Sequence, residues 1–218
     1  MGTTLADVAT PGRRFNDAVT GFWSLAAPLY DAPALQRLIY QPAQDEVITV
    51  LKVAGARRIA DIACGTGILA TRIHDELDPD EVYGVDMSDG MLAQARARHP
   101  QLQWRKGRAE QLPFTDGALD AVVSTSAFHF FDQPAAMREF NRVLAAGGVA
   151  AVATISPPAP PALRRLSAAS VNPAHNPSPR EMRELFTGAG FGLADQHRVR
   201  RPLWTRGVFD LITVGIKN

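Results

Sequence analysis

A mostly parallel α/β sheet with helices on both faces is the fold class that this sequence predicts. Apolar residues alternate between helical spacing and short strand-like runs along most of the chain. The run Leu119-Asp120-Ala121-Val122-Val123-Ser124 is nearly continuous in apolar side chains, as a strand covered on both faces requires. A glycine loop, Cys64-Gly65-Thr66-Gly67, falls between a predicted strand and a predicted helix.

The elements follow in order. Phe15 to Gln41 is helix-like but broken by Pro28 and Pro33 and followed by Pro42, so it reads as an arm or lid. From Ala43, Val47, Ile48, Leu51 and Ala54 recur at helical spacing, and Gly55 ends the run. Arg57–Ala63 is the first strand, followed by a helix through Leu69, Ile73 and Leu77. Glu81–Asp86 is the second, and the next helix is N-capped by Ser88. Leu102–Arg105 is a short third strand and Leu119–Ser124 the fourth. A helix over Gln133–Leu144 buries Met137, Phe140 and Leu144, and Gly147-Gly148 turns the chain into a fifth strand, Val149–Ile155. Ser178-Pro179-Arg180-Glu181 has capping-box spacing with proline at the first helical position. Leu193–Val199 and Val208–Ile216 then make an antiparallel hairpin at one edge, which completes seven strands.

The 218 residues contain no internal repeat and no second core, so one domain is expected over 1–218. Its parts are a helical arm (1–42), a core (43–155), a Pro-rich insertion (156–179) and a C-terminal helix with hairpin (180–218). The formal charge of +1 and the scattered arginine pairs give no reason to expect nucleic acid. The single cysteine excludes an internal disulfide, and the five histidines lack metal-ligand spacing, so no metal is expected. No signal peptide and no membrane-length apolar run can be read, so a cytoplasmic protein is expected.

Glycines between a strand and a helix let the backbone approach a ligand, and free amides at a helix start favour an anion. On spacing alone, Gly65-x-Gly67-x-x-Ala70 satisfies the dinucleotide fingerprint, with Asp86 19 residues after Gly67 as the ribose-binding acid. A nicotinamide-dependent oxidoreductase therefore stays open at this point. Asp61 weighs against it. A carboxylate at the end of a buried strand needs a partner, and a dinucleotide brings only more negative charge. S-adenosylmethionine brings an ammonium for Asp61 and a carboxylate for the loop amides. Asp61 can equally tie down the glycine turn through backbone N–H groups.

Asp61-Ile62-Ala63-Cys64-Gly65-Thr66-Gly67 resembles motif I of the class I S-adenosylmethionine-dependent methyltransferases, and Val85-Asp86-Met87-Ser88 resembles their second motif. Ala109-Glu110-Gln111-Leu112-Pro113-Phe114 and Arg142-Val143-Leu144-Ala145-Ala146-Gly147-Gly148 resemble loops of the ubiquinone and menaquinone methyltransferase branch, with Ala146 where proline is usual. Tyr30-Asp31 resembles a pair on the arm that folds over the cofactor in that branch. The resemblance implies a Rossmann-like seven-stranded sheet and S-adenosyl-L-methionine as cofactor. It also implies a cofactor site at Tyr30, Asp61, Ala63, Cys64, Gly65, Thr66, Gly67, Asp86, Met87, Arg108, Ala109, Glu110 and Ser124. Arg108 departs from the pattern, because an acid that takes the adenine amino group often stands there. Adenine is then held by backbone groups near Ala109 or stacked on the guanidinium.

After the fourth strand come Ser124-Thr125-Ser126-Ala127-Phe128-His129-Phe130-Phe131. Phe128, Phe130 and Phe131 form either an apolar wall for an acceptor or core under the next helix. His129 is the one titratable side chain among them and the candidate general base. The function expected is methyl transfer to a small, apolar or aromatic, O- or C-nucleophile. A non-catalytic S-adenosylmethionine-binding module is the further alternative.

Overall fold

The computed structural model describes residues 36–156, 176–201, 205 and 207–218. Tyr30, the arm through residue 35 and most of the Pro-rich insertion lie outside the described residues. A π-helical turn, Gln36–Tyr40, leads into α1 (Gln41–Ala54). Then follow β1 (Arg58–Ile62), α2 (Ile68–Leu77), β2 (Glu81–Asp86), α3 (Asp89–Arg98) and β3 (Gln103–Lys106). Beyond them lie β4 (Leu119–Thr125), a 3-10 turn (Phe128–Phe130), α4 (Gln133–Val143) and β5 (Leu144–Ile155). The chain closes with α5 (Pro179–Gly188), β6 (Phe191–Arg198) and β7 (Asp210–Lys217).

The seven strands form one sheet in the order β3-β2-β1-β4-β5-β7-β6. The pairs from β3 through β5 are parallel; β7 pairs antiparallel with both β5 and β6. The C-terminal hairpin therefore enters the sheet with its second strand inward and leaves β6 at the edge. Strand order reverses between β1 and β4, which opens a crevice beyond their carboxyl ends.

Strand alternation explains why both faces are covered. Ile59, Ala121, Val123, Ala151 and Ile212 pack with Val47, Ile48 and Leu51 of α1 and Leu69 and Ile73 of α2. The intervening Ala60, Ile62, Val122, Ala150 and Val152 pack with Met137 and Phe140 of α4 and Met182 and Phe186 of α5. Caps set the helix starts: Ser88 Oγ accepts from Met91 N at 3.1 Å, and Asp132 accepts from Ala135 N at 3.2 Å. Ser178 and Glu181 close the expected capping box, with Glu181 N donating to Ser178 Oγ and Ser178 N to the Glu181 carboxylate.

One boundary differs from expectation. β5 starts at Leu144 rather than Val149, because Gly147-Gly148 is absorbed into the strand. The register slips there: Leu119 faces Leu144 while Ala121 faces Val149, so the glycines form a bulge on β5. Gly147 takes φ +76°, and a Cβ on Gly148 would press on the Ala145 carbonyl oxygen at 2.8 Å.

Gly84 shows a tighter constraint. A Cβ there would overlap the Trp104 ring and stand 2.9 Å from Cys64 Sγ, so the glycine lets the indole lie flat on β2. Gly84→Ala should cost about 1–3 kcal/mol, as overpacking does in a dense core. Urea denaturation measures it, and an unchanged midpoint would mean that the indole moves aside freely.

Candidate active site

Backbone geometry places the glycine loop over the end of β1. Positive φ angles recur at alternate residues, Ala63 (+56°), Gly65 (+56°) and Gly67 (+83°), so the loop curls tightly before α2 begins. Gly65 presents its backbone to a cavity of about 310 Å³ at the carboxyl ends of the strands. Gly67 instead lies against Trp104, whose ring a Cβ at that position would overlap. The two glycines thus have different tasks, ligand approach at 65 and packing at 67.

The carboxylate of Asp86, at the end of β2, organises the loop. One oxygen accepts from Gly65 N at 2.9 Å and the other from Ser88 N at 2.8 Å. Burial pushes this carboxyl upward, while amides of Ser88, Gly65 and Met87 pull it down. Each oxygen retains a lone pair for a hydroxyl donor from a ligand.

Asp61 lies deeper, 2% exposed, and does not line the cavity. Burial first, and the neighbouring Asp86 charge second, raise it well above the usual carboxylate range, against the pull of the Ala70 amide. Its Oδ2 has no partner among the described residues. Asp61 therefore ties the end of β1 to the Ala70 amide of α2 and keeps one acceptor free.

A second loop forms the adjacent wall. Gly107, Ala109 and Glu110 line the cavity after β3. Glu110 Oε1 accepts from Asp132 N at 2.9 Å, which ties this wall to the start of α4. Arg142 on α4 holds the rest: Nη1 donates to Phe114 O at 3.0 Å and Nη2 to Leu112 O at 3.3 Å. Glu139 completes the joint, accepting from Leu112 N at 2.7 Å and from Arg142 Nη2 at 2.6 Å. The contact lowers the Glu139 carboxyl and raises the guanidinium, so both stay charged. The two loops read separately in the sequence are thus one hydrogen-bonded unit.

Across the cavity, Thr125, Ser126, Ala127, His129, Phe130 and Phe131 form the wall beyond β4. Phe128 is fully buried core under α4 and packs edge-on to Phe131 at 5.7 Å. His129 lies against the Phe130 ring at 4.0 Å between centroids, and its Nδ1 is buried without a partner. Desolvation lowers this imidazole to about 4, so it is neutral at pH 7.

Of the residues named from sequence, Ala63, Gly65, Asp86, Met87, Ala109, Glu110 and His129 come together around this cavity. Cys64, Thr66 and Ser124 are buried beneath or beside it rather than lining it, and the Cys64 thiol is raised by burial. Arg108 turns away, its Nε 3.5 Å from Glu110 Oε2.

Residues 60–152 match the family described as "Methyltransferase domain". A demethylmenaquinone methyltransferase from Thermus thermophilus is 41% identical over 107 residues, 47% of this chain and 49% of that protein. A methyltransferase from Mycobacterium tuberculosis is 41% identical over 104 residues, 47% of this chain and 42% of that protein. The match spans about half or less of these relatives' own length. Residues 60–152 thus carry the similarity to a methyltransferase domain. The solved structure of magnesium protoporphyrin IX methyltransferase from Synechocystis, with bound S-adenosylmethionine, shares the fold. It has TM-score 0.70, 15% identity, and coverage of 98% of this chain and 100% of that one.

Several lining residues of the cavity went unread in the sequence: Ile39, Tyr40, Met91, Ile155, Val208 and Asp210. Asp210 had a readable signal, since it is the lone acid in the apolar run Val208–Ile216, as Asp61 is in its own strand. The others are ordinary apolar or aromatic residues that only the tertiary fold brings to the cavity. Among the described residues, the lining includes three acids, Asp86, Glu110 and Asp210, and neither lysine nor arginine.

The His129 environment sets a pH dependence of stability. Between its unfolded value of 6.5 and its folded value of about 4, the unfolded chain binds a proton that the folded chain refuses. Stability from this residue therefore falls as pH drops through that window and is level above it. Wild type should lose about 2–3 kcal/mol more than His129→Gln between pH 7.5 and 4.5, as read by urea denaturation. Equal losses would mean that water reaches the ring.

Proposed function

We propose that the protein transfers the methyl group of S-adenosylmethionine to a small, apolar or aromatic, O- or C-nucleophile. The observation that carries the reading is the acid at the end of β2. Asp86 lines the cavity with an acceptor left on each oxygen, Glu110 and Asp210 line it in ion pairs with Arg108 and Arg201, and Asp61 keeps an unpartnered oxygen just beneath. These acceptors suit a ligand that brings positive charge and hydroxyl donors, and among the described residues neither lysine nor arginine lines the wall to hold the two phosphates of a dinucleotide. The nicotinamide reading, which rested on glycine spacing, loses its support here.

When bound, the cofactor supplies an already activated methyl group, so the chain's own task is binding, orientation and exclusion of water. In this reading Asp86 accepts from the ribose hydroxyls, the Gly65 backbone faces the methionine part, and Ala109 lies beside adenine. Arg108, paired with Glu110, stays off the adenine ring. The aromatic wall of Phe130 and Phe131 excludes water at the acceptor end. His129 is neutral there and can accept a proton at its bare Nδ1. A desolvated imidazole at about 4 is a weak base, and a polar acceptor against it raises its basicity. A small-molecule acceptor also fits the names of the relatives, one of which acts on a quinone. Among the described residues no helix is long and apolar enough to cross a membrane, in keeping with the cytoplasmic placement we propose.

Isothermal titration with S-adenosylhomocysteine and with NAD tests the cofactor. The former should bind and the latter should not, and Asp86→Ala should weaken the former by about 2–3 kcal/mol with little change in fold. Binding of NAD alone would overturn the proposal.

His129 is tested with reduced demethylmenaquinone as the probe acceptor, by following S-adenosylhomocysteine release. His129→Ala should lower kcat about 10²–10⁴-fold with cofactor affinity near wild type. A mutant that keeps its rate would make His129 a wall residue.

A further inference from the structure

Arg201 and Asp210 form the most enclosed ion pair among the described residues, with side chains 2% and 4% exposed. Burying two charges is costly, and such a pair persists where its geometry does something for the fold. Here the guanidinium reaches beyond its carboxylate. Nη1 donates to Leu38 O at 3.1 Å and Nη2 to Ile39 O at 2.8 Å, across more than 160 residues of sequence.

The sequence explains why the Leu38 carbonyl needs an outside donor. In a regular helix the amide of residue 42 would bond to the Leu38 carbonyl, but Pro42 has no N–H. The turn is π-helical, and Arg201 donates to Leu38 O where the proline cannot. Ile39 and Tyr40 of this turn line the cavity, and so do Val208 and Asp210 on the other side of the guanidinium. One side chain thus joins two segments that together make the wall at the β7 end.

We propose that Arg201 is a positioning residue that fastens the Gln36–Tyr40 turn to the start of β7 and so builds the acceptor end of the methyltransferase cavity. The assignment of that end to the acceptor rests on the function proposed above; the clamp itself does not. A second tie holds α1 independently: His197 Nε2 lies 3.4 Å from Glu46 Oε2, and Arg200 N donates to Glu46 Oε1 at 3.5 Å. Loss of the Arg201 fork should therefore release the turn while α1 stays packed through Val47, Ile48 and Leu51.

Arg201→Lys tests this, because lysine keeps a cation for Asp210 but cannot span two carbonyls as a planar fork does. Hydrogen exchange by mass spectrometry should speed at least tenfold in peptides covering 36–42 and stay within twofold in those covering β1 and β4. Tyr40 gives a second readout. Burial, and then the Asp210 charge, hold its phenol above the ordinary value of 10.0. Absorbance titration, taken as the difference from the same protein carrying Tyr40→Phe, should show it falling back toward 10 in Arg201→Lys.

Unchanged exchange at 36–42, or a Tyr40 phenol that stays high, would overturn the clamp. Should the lysine variant not fold, Arg201→Gln with Asp210→Asn removes both charges together, and the exchange readout alone decides, because the Asp210 charge itself raises the Tyr40 phenol. Failure of the wild type to bind S-adenosylhomocysteine would overturn the cofactor reading and leave the exchange result standing.

Discussion

One carboxylate holds the cofactor end of the cavity together. Asp86 receives an amide from the glycine loop after β1 and another from the turn into α3, so two loops from adjacent strands converge on one side chain. Both bonds are charge-assisted and sheltered from water, where such bonds are strongest. Trp104 supports the arrangement from below, its ring filling the space that Gly67 and Gly84 leave open. The curl of the loop, the path into α3 and the seat of the indole are therefore coupled. Moving the end of β2 would disturb all three, whereas the far walls are carried by separate contacts through Arg142 and Arg201.

Much of this was legible in the chain, for physical reasons. The strands showed as short β-branched and alanine-rich runs because both faces are covered, and Ser88 and Ser178 showed as caps because orphan amides demand a side-chain oxygen. The end of the sheet was harder. Gly147-Gly148 reads as a turn by composition, yet the pairing of Leu144 with Leu119 ahead of it and of Val149 with Ala121 beyond it draws the stretch into a bulged strand. Cofactor-side residues clustered in sequence because one loop carries most of them. Tyr40, Val208 and Asp210 did not, because residues from the two ends of the fold meet only after the sheet has closed.

Spacing and burial answered different questions at the glycine loop. Spacing alone admits either a dinucleotide or S-adenosylmethionine, since both need close backbone approach and a ribose-binding acid. Charge separates them. Asp61 does not line the cavity, being buried at the end of β1. The neighbouring Asp86 charge, after burial, raises the cost of charging it. A cation arriving above the loop relieves that cost and an anion increases it.

His129 illustrates how the same desolvation serves two ends. Phe130 lies against the imidazole and Nδ1 has no partner, so the ring is kept neutral and its lone pair or proton is unspent. A buried polar group of this kind is typical of functional sites, where local rules yield to chemistry. An acceptor with a hydroxyl would give the ring its missing partner. Within the function proposed above, a hydroxyl nucleophile can offer Nδ1 a donor, which a carbon nucleophile cannot, so the two classes would differ in how they meet the wall beyond β4.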